Sequence, residues 1–178
     1  MVTLTENQSK EIERCISIFK RYANSSDYKE DMEDRKERER FFSKITKESI
    51  DKMTEFEFGE IISNLWSTRI WGNKQYLIQK LISDNSFETL KNALKNMFFE
   101  PKPIEERYNA FTDKIKGIGP AGMTELLCLT NPKENGIWND KARKALSILG
   151  FEKELPLDKY KISGKEYKKF NDYLCLVA

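Results

Sequence analysis

Apolar residues recur at three- and four-residue spacing along almost the whole chain, the pattern of amphipathic helices. Ile12, Cys15, Ile16 and Phe19 define a first helix, and "TLTE" before them resembles a capping box. A second spans about Asp27 to Lys44, with Phe41, Phe42 and Ile45 closing its apolar face. Phe58, Ile61, Ile62 and Leu65 mark a third that ends near "WGN"; Tyr76, Leu77, Leu81 and Ile82 mark a fourth. "SDNSFE" combines a breaker with a fresh cap, and Leu90, Leu94, Met97 and Phe98 carry a fifth helix to "EPKP". Pro103 suits the first turn of a sixth, with Ile104, Tyr108, Phe111 and Ile115 on one face. Another helix runs through Leu126, Leu127 and Leu129 to "TNPKENG", and one more from about Asn139 through Ala142, Leu146 and Leu149 to Gly150. After the loop "FEKELPLDKYKISG" a last helix starts at Ser163. No alternating strand, internal repeat or low-complexity linker interrupts this series. The expected class is all-α, a helical bundle with an N-terminal part, 1–100, and a second part, 101–178, or one compact domain of both. The still apolar "YLCLVA" at the end reads as a cut within a longer polypeptide or as a native terminus.

Composition narrows the classes of function. With 178 residues, 39% hydrophobic and 34% charged, the chain can bury one core and is no disordered polymer. No run approaches the ~18 apolar residues of a membrane span and no leader is visible, so the expected setting is the cytoplasm, with no membrane partner. There is no histidine, which removes imidazole-based triads and the commonest metal ligand. Cys15, Cys128 and Cys175 are far apart and each falls in an apolar helical pattern, so buried reduced thiols are expected and no disulfide frame. No cofactor and no metal are expected. The net charge of +2 is unevenly spread: residues 1–60 hold twelve basic against fifteen acidic side chains, and residues 61–178 nineteen against fourteen. The acidic stretch from Asp27 and the "RKERER" after it read as a solvated helix face.

The chemistry concentrates in "IKGIGPAGMTELL". Only 8 glycines occur in the chain, and Gly117, Gly119 and Gly122 lie within this stretch. A helix ending at Lys116, a turn of two glycines around Ile118, and a helix opening at Pro120 make a helix–hairpin–helix. Gly117 and Gly119 permit positive φ or close approach, Ile118 plugs the turn into the core, and Pro120 needs no amide partner. What remains is a row of free main-chain N–H groups at a helix N-terminus, from Lys116 to Gly122 and including Ala121, where a phosphate binds favourably. Lys114 and Lys116 stand beside it as counter-charges. Such a turn grips sugar-phosphate without reading base edges; an ordinary inter-helix turn with a glycine C-cap is the alternative, and it explains one glycine well and two poorly.

On these residues, "KGIGPAGMTELLCLTNPKENGIWNDKARKAL" resembles the helix–hairpin–helix region of the base-excision DNA glycosylase superfamily, over roughly Pro103 to Gly150. It is similar to a glycosylase-like branch associated with DNA-binding modules, some attached to ATP- or GTP-driven restriction subunits of the McrB kind. The resemblance implies DNA as partner and a motor in the same chain or complex. This chain itself carries no "GxxxxGK[ST]" phosphate loop. Glycosylases of the superfamily carry an Asp after the hairpin, and bifunctional ones a Lys just inside its second helix. Matched glycine to glycine, the Lys position falls on Ala121 and the Asp position on Asn139, neither of which can do that chemistry. A one-residue insertion would bring Asp140 into the carboxylate position, with Lys116 as an alternative amine. Asp140 also reads as a first-turn acid and Asn139 as a helix cap. Met123 stands where the family has a small residue, implying a looser contact between the hairpin helices, and iron–sulfur cysteine spacing is absent.

The expectation is therefore a DNA-binding domain without base-excision catalysis; the alternatives are a DNA glycosylase using Asp140 and a protein-interaction domain. Further phosphate contacts are expected from Lys141, Arg143 and Lys144, and from Lys165, Lys168 and Lys169, against a plain solvated face. Arg69 between Trp66 and Trp71 suggests stacking on a base or wedging into a duplex. Trp66, in register with Ile62, reads as core, Trp71 as either core or base contact, and Trp138 as packing beneath the hairpin or lining a base pocket.

Overall fold

A computed structural model describes residues 4–177. Their helices are α1 (Glu6–Tyr22), α2 (Ser26–Phe42), α3 (Lys47–Asp51), α4 (Glu55–Ser63), α5 (Lys74–Asn85), α6 (Phe87–Phe99), α7 (Ile104–Lys114), α8 (Pro120–Thr130), α9 (Asp140–Ile148) and α10 (Gly164–Val177). A single 3-10 turn, Trp66–Thr68, lies between α4 and α5, and the described residues contain no strand. The class is all-α, as the spacing of apolar residues requires.

Local chemistry sets most of the boundaries. Thr46 with Ser49 and Thr54 with Glu57 form reciprocal capping boxes at α3 and α4. Ser25, Asn73, Ser86 and Asn139 accept a main-chain N–H at the starts of α2, α5, α6 and α9. At α1 the box is made by Thr5 and Gln8, two residues later than the Thr3–Glu6 pairing of "TLTE", whose Thr3 lies outside the described residues. The five-residue α3 adds an element that periodicity does not announce.

α8 is the central helix. Seven of its residues, from Pro120 to Leu127, are buried, and α2, α6 and the 3-10 turn all lie against it. α7 packs on α6 and α10. The α7–α10 approach is close enough that a Cβ at Gly164 would collide with the Glu105 carbonyl. Tyr108 of α7 stacks on Tyr167 of α10 at 4.9 Å, and Trp138 meets Phe170 edge-on at 5.1 Å. One cluster of buried side chains runs from Ile12 to Tyr173, so residues on both sides of the Glu100–Pro103 turn share a core. No helix among the described residues is long and apolar enough to cross a membrane.

Three expectations about burial are corrected. Trp66 is 42% exposed, because α4 stops at Ser63 and the helical register that aligned it with Ile62 stops with it. Cys175 is exposed on the outer face of α10, whereas Cys15 and Cys128 are half-buried; all three are free thiols. On α1 the apolar stripe is covered only at its start, since Ile12 is buried and Ile16 and Phe19 are exposed.

Candidate nucleic-acid interface

The corner between α7 and α8 is built as a tight turn. α7 ends at Lys114, two residues before the expected end, and Ile115 is its buried C-cap. Gly117 takes φ +87°, a region that glycine enters freely. A Cβ there would also stand 2.8 Å from Leu81 Cδ2 of α5. Ile118 packs against the core, and Gly119, in extended conformation, precedes Pro120 at the first position of α8. Asn85 at the end of α5 fastens the turn from outside. Its Oδ1 accepts the Lys116 N–H at 2.7 Å, and its Nδ2 donates to the Lys116 carbonyl at 3.0 Å. Met123 is buried, and its sulfur accepts from the Thr112 hydroxyl of α7.

Apart from that of Lys116, which Asn85 occupies, the amides of this corner have no protein partner among the described residues, although Gly122 is buried. No side chain caps α8, in contrast to α1 to α6 and α9. Among the described residues, the N–H groups of Gly117, Ile118, Gly119, Ala121 and Gly122 donate to no other protein group. Gly117, Gly119, Lys114 and Lys116 are exposed. Neither lysine has an ion-pair partner within 4 Å among the described residues, although Lys116 stands close to the Asp84 carboxyl. That carboxyl is held below its ordinary range chiefly by its hydrogen bond from Lys80, with a smaller pull from Lys116.

The corner borders a cleft of about 280 Å³. Ser67, Ile70 and Trp71 from the segment before α5 line it together with Gly119, Gly122 and Tyr160. Ile70 is 91% exposed, Trp71 45% and Tyr160 58%. The Ser67 hydroxyl oxygen is buried without a partner, 3.3 Å from the point where a Gly122 Cβ would sit. Ser67, Ile70, Tyr160 and Asn85 escaped the sequence reading. An apolar pair beside Gly72 in "STRIWGN" and a tyrosine between lysines in "DKYK" are the signals that pointed to two of them.

A second cleft, of about 490 Å³, opens between α2, the 3-10 turn, α8 and α9. Trp66 lines it with Arg35, Arg38, Cys128, Asn139 and Lys141. The guanidinium carbons of Arg38 and Arg69 lie 4.4 and 4.6 Å from the Trp66 ring centroid, and both arginines pair with Asp34. Arg69 is thus engaged with Trp66 rather than with Trp71. Glu125 of α8, only 3% exposed, accepts the N–H groups of Trp66 and Ser67 on its two oxygens and so fixes the turn between the clefts. Burial pushes the Cys128 thiol up, away from the thiolate a reactive cysteine needs.

Trp138, Asn139 and Asp140 have structural employment. Trp138 is only 2% exposed and leaves no face for a base; its indole N–H donates to the Tyr160 carbonyl at 3.1 Å. Asn139 caps α9 through the Ala142 N–H. Asp140, exposed in the first turn, pairs with Arg143, and Arg143 also donates to the carbonyls of Leu157 and Lys159. These bonds hold the segment that places the Tyr160 hydroxyl 2.7 Å from the Cβ position of Gly119. Lys144 and Lys165 are exposed; Lys168 pairs with Asp172, and Lys169 lies 5.9 Å from the Tyr173 ring centroid. Among the described residues no group of three or more acidic or cysteine side chains could hold a metal.

Comparison of the chain with protein-family models, with curated proteins and with solved structures finds no match. The chemistry of the corner therefore stands on this chain's own residues.

Proposed function

We propose that this protein binds DNA through the α7–α8 corner, acting as the hairpin of a glycosylase-like helix–hairpin–helix, and that it does not excise bases. The observation that carries the reading is the set of amides from Gly117 to Gly122 without a protein partner, exposed at Gly117 and Gly119, at a helix start that no side chain caps. Unpaired N–H groups at a helix N-terminus favour an anion through hydrogen bonding and the helix dipole together. Lys114 and Lys116 add charge without sequence preference. The engagement of Asp140 with Arg143, and of Asn139 as a cap, supports a binder over an excising enzyme. In this reading the domain is the target-recognition part of a restriction or DNA-processing complex driven by an ATP- or GTP-dependent motor.

The test is a mobility-shift titration at several salt concentrations with wild type, Gly119→Val and the pair Lys114→Ala/Lys116→Ala. Extended φ at Gly119 accepts a branched side chain, and only the flexible Tyr160 tip must move, so that variant should fold. The expected result is salt-sensitive binding, with few phosphates neutralised, that weakens about tenfold or more in each variant. Binding indifferent to all these substitutions would sink the proposal. Release of bases from damaged oligonucleotides, abolished by Asp140→Asn, would replace it with the glycosylase; wild type that binds no DNA but captures a protein would replace it with an interaction domain.

A further inference from the structure

The surface around the corner is more apolar and aromatic than a phosphate grip alone requires. Ile70, Trp71 and Tyr160 line the cleft beside Gly119 at 91%, 45% and 58% exposure. Trp66 stands across the 3-10 turn at 42%, and Tyr76 in the first turn of α5 at 56%. Ile70, Trp71 and Tyr160, grouped around one cleft, form an exposed apolar and aromatic patch of the kind that marks a contact surface. Their positions are also held from behind. Glu125 fixes the turn that carries Trp66 and leads to Ile70, Arg38 and Arg69 brace the Trp66 ring, and Trp138 and Arg143 fix the chain around Tyr160.

Charge argues about what this surface meets. Among the described residues Lys114 and Lys116 at the corner, and Lys161 beside Tyr160, are exposed and have no ion-pair partner, with Asp84 close to Lys116. Arg38 and Arg69 share the single carboxylate of Asp34, and Arg35 pairs with Glu39. A duplex presents two phosphate backbones, and affinity for it grows with the number of phosphates neutralised. It also hides the faces of its bases in the stack, where tryptophan and tyrosine cannot reach them. A single strand offers one backbone for the amides and lysines, and open base faces for the rings. Stacking of bases on aromatic side chains is sequence-tolerant and strong enough to dominate where charge is sparse.

We infer that the partner of this surface is single-stranded DNA, its phosphate on the α7–α8 amides and adjoining bases stacked on Trp71 and Tyr160. The inference rests on the proposed function and specifies its substrate.

The experiment is fluorescence anisotropy at low salt with a labelled single-stranded oligonucleotide and a blunt duplex of the same sequence. Wild type, Trp71→Ala, Tyr160→Ala and Gly119→Val are compared, with circular dichroism confirming that each is folded. Both aromatic positions are exposed, so truncation leaves the core intact. The single strand should bind at least tenfold tighter than the duplex. Trp71→Ala and Tyr160→Ala should each weaken it about tenfold or more, with little change for the duplex. A duplex bound as tightly as the single strand, with Gly119→Val weakening it, would overturn this inference and leave the DNA-binding proposal standing. Unchanged single-strand affinity in both aromatic variants would also overturn it, and failure of wild type to bind either probe would remove both.

Discussion

Gly117 and Gly150 are the glycines among the described residues with positive φ, and only Gly117 also faces a close side chain, Leu81. A Cβ at Gly117 therefore meets two penalties. The left-handed region costs a non-glycine residue about 1–2 kcal/mol, and Leu81 must shift from its buried position. Gly72 lies in an ordinary region with nothing within 4 Å of its Cβ position. Gly117→Ala is accordingly expected to lower the melting temperature by several degrees, at roughly 2–4 °C per kcal/mol for a chain of this size, while Gly72→Ala leaves it unchanged. Gly164→Ala should be the most damaging of the three, because the obstacle is the Glu105 main chain, which has no rotamer to change. Differential scanning calorimetry of the three variants checks the order; equal melting temperatures for Gly117→Ala and Gly72→Ala would remove the conformational reason for glycine at the corner.

Helices that pack along a regular stripe were legible in the sequence because each carried its own periodicity. Ile104, Tyr108, Phe111 and Ile115 announce α7, and Ala142 and Leu146 announce α9. α3 was not, since a five-residue helix with one buried residue, Ile50, holds no repeat to read. Periodicity also misleads where a helix stops short, as at Trp66, or where only part of a stripe finds a neighbour, as on α1. The glycines and lysines of the corner were visible as a local motif. Asn85, Ser67, Tyr160 and Glu125 were not, because they come from distant segments and act through folded contacts. Glu125 illustrates the difference: in sequence it is one polar residue in an apolar helix, in the fold a buried carboxylate bonded to N–H groups nearly sixty residues earlier. Glu125→Gln replaces one acceptor by an amide NH2 facing a donor, leaving a buried N–H unsatisfied. The expected loss is about 1–3 kcal/mol of stability, read as a lower urea midpoint with unchanged slope. An unchanged midpoint would mean that the turn is held by other contacts.

The whole molecule has one core, and its two stacked tyrosines give that core a signature in alkaline solution. Tyr108 and Tyr167 join α7 to α10, and each is at most 1% exposed. Burial raises the Tyr108 hydroxyl to about 12, and raises Tyr167 as well, outweighing the opposing effect of Asn171. Tyr167 also donates to the Gly136 carbonyl at 2.9 Å, a bond that ionisation destroys. An unfolded tyrosine loses its proton near pH 10. Below that pH both states are protonated and the contribution to stability is fully present. As pH rises from about 10 towards 12, the unfolded chain releases protons that the folded chain retains, so unfolding becomes more favourable with each step. The urea midpoint should therefore fall steadily across this window in wild type. Lysines also titrate there, but Tyr108→Phe leaves them in place, so the variant's midpoint should fall less steeply than that of wild type between the same pH values. Parallel slopes would mean that this ring does not report on the core, and that the α7–α10 junction, which shares α7 with the α7–α8 corner, opens before global unfolding.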